Sequence, residues 1–162
     1  MPKIKIKNIL INFIIVSVIF LADRISKVYI LKIAELESTV DIYITQYLNF
    51  YLVWNKGIAF GLFSFNESFF YNVITCIIAI ITVVILVMII KNEGFKKYSL
   101  LLVLGGSLGN LFDRIYYSAV PDFIDFHIND FHWFVFNGAD IFITIGIICL
   151  ILDEMFINSK KI

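Results

Sequence analysis

The sequence predicts an all-α membrane protein: four transmembrane helices carrying a small extracytoplasmic β-sheet. Of 162 residues, 60% are apolar and 17% aromatic, and the mean hydropathy is +0.92, far above an ordinary water-soluble domain. Four apolar stretches have the roughly twenty residues that cross about 30 Å of hydrocarbon. Lysines cluster at alternate ends of those stretches.

The first span covers residues 8–31. Lys3, Lys5 and Lys7 ahead of it imitate a secretory leader, but Asp23-Arg24 stands where a small-residue cleavage site would fall, so an uncleaved helix is expected. This run contains no cysteine, so the chain does not read as a lipoprotein precursor. The second, third and fourth spans cover residues 69–90, 98–117 and 133–155. Lys91, Lys96 and Lys97, then Lys160 and Lys161, join the N-terminal lysines on one side, which places both termini in the cytoplasm. Residues 39–53, in the first outer loop, are rich in β-branched and aromatic side chains. Their imperfect alternation predicts strand structure on the outer membrane surface. The second outer loop, residues 118–132, holds Asp122, Asp125 and Asp130 and reads as an interfacial turn. With no repeat, linker or low-complexity tract, residues 1–162 read as a single domain.

Basic and acidic residues balance at 13 each, which gives no electrostatic footprint for nucleic acid. Cys76 and Cys149 both lie within apolar spans and read as small hydrophobes, not as a disulfide or metal pair. His127 and His132, five apart among aromatics, lack a recognisable ligand spacing, so no metal is expected. No cofactor motif is present.

The acids inside the spans are the informative residues. A carboxylate in hydrocarbon costs about 2.5 to 3.5 kcal/mol on insertion scales, and such groups face bundle interiors and carry function. Asp23 lies 15 residues from Asn8, Asp113 lies 15 from Tyr98 and Asp140 lies 15 from Met155. All three therefore sit roughly 22 Å from the cytoplasmic edge, a common depth that implies one site.

Around them stand short polar constellations. Asp23 precedes Lys27 by four residues, the favourable order for a helical ion pair. Asn55-Lys56-Gly57 opens a segment with glycines at 57 and 61, suited to a turn or to close backbone approach. Gly105 and Gly109 form a small-residue face for helix packing, followed by Asn110, Asp113 and Arg114, with Arg114 expected to pair with Asp113. Asn137 can cap the last helix while Asp140 points inward. Neither Asp122 nor Asp140 has a basic residue within four positions, so these two are the better chemical candidates. Two such carboxylates brought together share a proton and supply an acid and a base at once. Buried acids at one depth also suit a proton- or cation-coupled transporter, and the glycine face suits a non-catalytic assembly subunit.

Taken in order, these segments resemble the lipoprotein signal peptidase (signal peptidase II) family. The resemblance rests on Asp23 and Lys27; on Asn55, Gly57, Ala59, Phe60 and Gly61; on Gly109, Asn110, Asp113 and Arg114; on Val120, Asp122 and Phe123; and on Phe136, Asn137, Ala139, Asp140 and Gly146. It implies an aspartic endopeptidase of the bacterial cytoplasmic membrane that removes the signal peptide of a prolipoprotein just before its diacylglyceryl-modified cysteine. It implies Asp122 and Asp140 as the catalytic pair, with Asp23, Lys27, Asn55, Gly57, Asn110, Asp113, Arg114 and Asn137 supporting the site and substrate. It further implies an outer sheet that cradles the substrate, a lid before the last span, membrane lipids as surroundings and globomycin-type inhibitors as ligands. Pro121, Ile58 and Ile141 depart from the family pattern without removing a carboxylate.

Overall fold

The computed structural model describes residues 6–57, 67–129 and 131–158. Ile58, Ala59, Phe60 and Gly61 of the second constellation lie outside the described residues, as do Asp130 and the lysines at 3, 5, 160 and 161. Four helices and four strands follow in the order α1 (Ile6–Glu37), β1 (Asp41–Thr45), β2 (Leu48–Asn55), α2 (Glu67–Lys91), α3 (Gly94–Tyr117), β3 (Val120–Ile128), β4 (Phe131–Phe136) and α4 (Gly138–Leu152). A π-helical segment, Asp153–Asn158, extends α4.

Two helical stretches, Asn8–Glu37 and Ser68–Lys91, are long and apolar enough to cross a membrane. Their outward residues are themselves apolar: Phe13, Val18, Leu21 and Ile25 on α1, and Ile77, Ile80, Val83 and Val84 on α2, are exposed. A surface of this kind suits lipid, where a helix satisfies its own backbone hydrogen bonds and apolar side chains need no cover. The helix α3 is the central post. It packs on α1, α2 and α4, and its buried residues run from Ser99 to Arg114. Ile85 and Ile89 of α2 meet Leu100, Leu101, Val103 and Leu104 of α3 in the main apolar cluster.

Close approach to α3 depends on its glycines. A Cβ on Gly105 would lie 2.7 Å from the Ile19 side chain of α1, and one on Gly106 would lie 2.5 Å from the Ala139 carbonyl oxygen of α4. The small-residue face predicted from spacing, Gly105 with Gly109, is occupied by α1, since a Cβ on Gly109 would lie 2.6 Å from Asp23 Oδ2; Gly106, outside that pair, receives α4.

The sheet has four antiparallel strands in the order β1-β2-β3-β4. The expected strand region is a hairpin of β1 and β2, and the register slips between Tyr43 and Thr45 and between Phe50 and Val53. Those bulges explain the imperfect alternation in the sequence, because an extra residue shifts the inward face by one. The predicted interfacial turn is instead strand β3, paired to β2 on one side and β4 on the other. The fourth span is corrected too. Residues 133–136 belong to β4, and the last helix begins only at Gly138. Trp133, Phe134 and Phe136 are as apolar as a span, but aromatic residues fit a pleated sheet equally well, so hydropathy alone misplaced the boundary. Phe123 on β3 packs with Val40 and with Ile30 of α1, fastening the sheet to the bundle.

Candidate active site

The acids on α1 and α3 form a closed set. Lys27 Nζ donates to Asp113 Oδ2 at 2.6 Å and lies 3.0 Å from Asp23 Oδ1. Arg24 bridges the same two acids: its guanidinium donates to Asp23 Oδ2 at 2.9 Å, to Asp113 Oδ2 at 2.7 Å, and through Nη1 to Asp113 Oδ1. Two cations thus balance two anions. Asp23, Lys27 and Asp113 are 1%, 0% and 0% exposed, so Lys27 does not snorkel to an interface. Charges this buried persist only when paired and hydrogen-bonded, since a lone one costs several kcal/mol. The expected Asp113–Arg114 pair is replaced here by Arg24, a residue sequence reasoning left outside the site. Its one signal was adjacency to Asp23.

Three asparagines connect this set to the other two acids. Asn110 Oδ1 accepts from Lys27 Nζ at 2.9 Å, and its Nδ2 donates to Asp140 Oδ1 at 2.8 Å. Asn55 Oδ1 accepts from the Gly57 N–H at 2.6 Å, and its Nδ2 donates to Asp122 Oδ2 at 2.9 Å. Asn137 Oδ1 caps α4 by accepting from the N–H groups of Ala139 and Asp140, and its Nδ2 donates to Asp122 Oδ1 at 2.6 Å. In each case a donor claims the amide oxygen, which turns the amide nitrogen toward a carboxylate. Gly57 serves this arrangement through its backbone, at φ +75°, where a side chain would be strained and would crowd the Arg114 guanidinium.

Asp140 occupies the N3 position of α4, where its Oδ2 accepts from the Asn137 N–H at 3.0 Å, completing a capping box. Asp23 Oδ1 adds a second acceptor for the Ala139 N–H at 2.9 Å. Asn137 therefore touches both Asp122 and Asp140, one through its side chain and one through its backbone. Among the described residues, neither of these two acids takes part in the ion pairs above. Burial pushes the Asp122 carboxyl up most strongly. The amides of Asn137 and Asn55 oppose this, the charge of Asp140 adds to it and that of Lys27 subtracts, leaving the group at about 6. Beside Asp140 an apolar cavity of ≈ 240 Å³ is walled by Phe134, Phe136, Ile141, Thr144 and Ile145.

Arg114 is 9% exposed, and its Nε and Nη1 lack hydrogen-bond partners. It lies against Gly57 and over the Tyr71 ring, 5.8 Å from the centroid. Of the predicted site residues, Asp23, Lys27, Asn55, Asn110, Asp113, Asp122, Asn137 and Asp140 join one hydrogen-bonded network, and Arg114 lines it beside Gly57.

Apolar helices enclosing a buried polar network, with an antiparallel sheet over one end, define an integral membrane protein with an internal site. The family model described as signal peptidase (SPase) II matches residues 15–156. The lipoprotein signal peptidase of Pelagibacter ubique is 57% identical over 161 residues, covering 99% of this chain and 97% of the relative. That of Anaplasma phagocytophilum is 39% identical over 148 residues, covering 90% and 92%. Among solved structures, a bacterial membrane enzyme determined by the in meso method superposes with a TM-score of 0.69 at 26% identity, covering 93% of this chain and 91% of that one. The chain belongs to the signal peptidase II family and is a protease of that family. The comparisons lend the transporter reading no support.

Proposed function

We propose that the chain is an aspartic endopeptidase acting within the membrane on prolipoproteins, cutting the signal peptide just before the diacylglyceryl-modified cysteine, with Asp122 and Asp140 as its catalytic pair. The observation that carries this reading is Asn137, which hydrogen-bonds to both carboxylates at the start of α4. Asp122, whose proton is favoured by burial, holds the shared proton and hydrogen-bonds the scissile carbonyl. Asp140 removes a proton from the attacking water. The protonated groups then return a proton to the leaving amine, which restores the pair. Asp23, Lys27, Asn110 and Asp113 fix the frame, while Arg114 and the backbone around Asn55 and Gly57 offer donors to a peptide whose polar groups find no water in lipid. The apolar cavity beside Asp140 accommodates hydrophobic substrate surface. In this reading α1 to α4 all span a bacterial cytoplasmic membrane with both termini inside, the sheet cradles substrate outside, and the β3–β4 hairpin takes the place of a lid.

The test is processing of a lipid-modified precursor peptide by purified protein. Asp122→Asn and Asp140→Asn each remove one carboxylic acid at constant size, and each is expected to lower turnover by at least about 10³-fold, as loss of an acid–base or nucleophile-activating group does. Turnover by either variant within a few fold of the parent rules the pair out.

A further inference from the structure

Asp122 takes one face of β3, and Phe123, Asp125 and His127 take the other, because successive side chains on a strand alternate. His132 on β4 sits directly opposite His127, and Asn49 on β2 directly opposite Asp125. The two imidazoles stack with centroids 5.2 Å apart. Both Nδ1 atoms turn to one carboxylate oxygen: His132 Nδ1 is 2.8 Å and His127 Nδ1 3.6 Å from Asp125 Oδ2. One ligand atom from each of the three residues lies within 4.8 Å of the others.

A histidine–carboxylate hydrogen bond accounts for His132 alone. Asp125, 2% exposed, keeps Oδ1 without a partner; His127, 9% exposed, has an unpartnered Nδ1; and Asn49 Oδ1 is buried and unpartnered as well. Each such atom destabilises the fold if left unsatisfied. All three orphans are lone-pair acceptors or, for neutral imidazole, can be one. With His127 in its Nε2–H tautomer, a cation answers all three together. Metal–ligand bonds of about 2.0 to 2.1 Å in tetrahedral geometry set ligand atoms about 3.3 Å apart, between the two separations seen here. Asp125, Asn49 and His132 also face a cavity of ≈ 450 Å³ with Asp41 on its wall, so an ion has a way in and room for a water ligand.

We infer that Asp125, His127 and His132, with Asn49 at the edge, form a binding site for a divalent ion of the zinc type, separate from the Asp122–Asp140 pair. Two nitrogens and a carboxylate oxygen suit zinc better than calcium or magnesium, which take oxygen ligands. The ion clamps β3 to β4 and, because β4 runs directly into Asn137, stiffens the strand that positions the α4 cap.

The experiment uses untagged full-length protein in detergent, stripped with chelator and then titrated with Zn²⁺, with metal content by mass spectrometry and melting temperature as readouts. About one Zn²⁺ per chain and a raised melting temperature are expected. Co²⁺ in its place is expected to give the intense visible bands of a tetrahedral site. His132→Ala, at a residue 57% exposed and therefore dispensable for folding, is expected to weaken Zn²⁺ binding by at least about tenfold, since even outer partners of metal ligands cost 10- to 100-fold. His127→Gln is expected to do the same. A parent that binds well under one Zn²⁺ per chain, or a His132→Ala protein that binds as tightly as the parent, overturns the site and leaves water as the partner of these atoms.

Discussion

At Asp122 a single carboxyl group links folding to pH. Its folded value of about 6 lies above the ordinary 3.8, with burial as the main cause. Between about pH 4 and pH 6 the folded chain therefore binds this proton more tightly than the unfolded chain does. Stability contributed by the protonated group is full at the acidic end, falls as pH rises through that window and is level above about 6. A shift of about two units corresponds to roughly 3 kcal/mol, so melting temperature in detergent should decline across this range in the parent. Asp122→Asn, which has no proton to lose, should remove that slope whatever its absolute stability. Lys27 makes the opposite kind of contribution, because it is a charge that two acids require. Lys27→Met keeps the aliphatic stem and deletes the cation shared by Asp23, Asp113 and Asn110. Breaking a buried pair in this way costs about 3 to 5 kcal/mol, measurable by denaturant unfolding, and frees Asn110 to rotate away from Asp140. An unchanged unfolding midpoint would show that the quartet is not fully desolvated.

Among the elements, α3 shows how far a sequence can be read. Its Gly105–Gly109 spacing announced close packing, and both glycines meet α1, while Gly106, outside that pair, meets α4. Gly106→Ala is expected to push α3 from the first turn of α4 at a cost of about 1 to 3 kcal/mol, and to lower turnover more than that loss alone explains, because Ala139 adjoins Asp140. A variant with parental melting temperature and turnover would show that the contact is looser. The capping role of Asn137 was equally legible, since an Asn three residues ahead of an Asp before an apolar run is a helix-start pattern. Strands β3 and β4 were not. The pairing of β3 with β2 is long-range, across two intervening helices, and Trp133 to Phe136, on the strand that pairs with β3, carry the same hydropathy in a strand as in a span. Arg24 was missed for a related reason: only the folded crossing of α1 and α3 reveals that it, and not Arg114, reaches Asp113. That His127 and His132 face each other was equally hidden, because it follows from the pairing of β3 with β4, which a spacing rule does not see.

On the scale of the whole molecule, one polar network ties together elements from both ends of the chain. Asp23 comes from α1, Asn55 from β2, Asn110 and Asp113 from α3, Asp122 from β3, and Asn137 with Asp140 from the start of α4. The common depth of three acids, inferred from the rise of a helix, foretold that assembly, whereas the partners within it depended on tertiary geometry. The proposed four-span arrangement can be checked with sidedness reporters. Fusions after residue 158 and between α2 and α3 should report the cytoplasm, and an insertion between β3 and β4 should report the outer side. Opposite signals from the first two positions would exclude an even number of crossings. The cap that begins α4 also carries Asp140, so the group assigned to water activation is held in place by the first turn of its own helix. A chain caught half-inserted, or one whose final helix has frayed, therefore carries no assembled blade. On that assignment, a chain whose last helix has yet to form would not cleave.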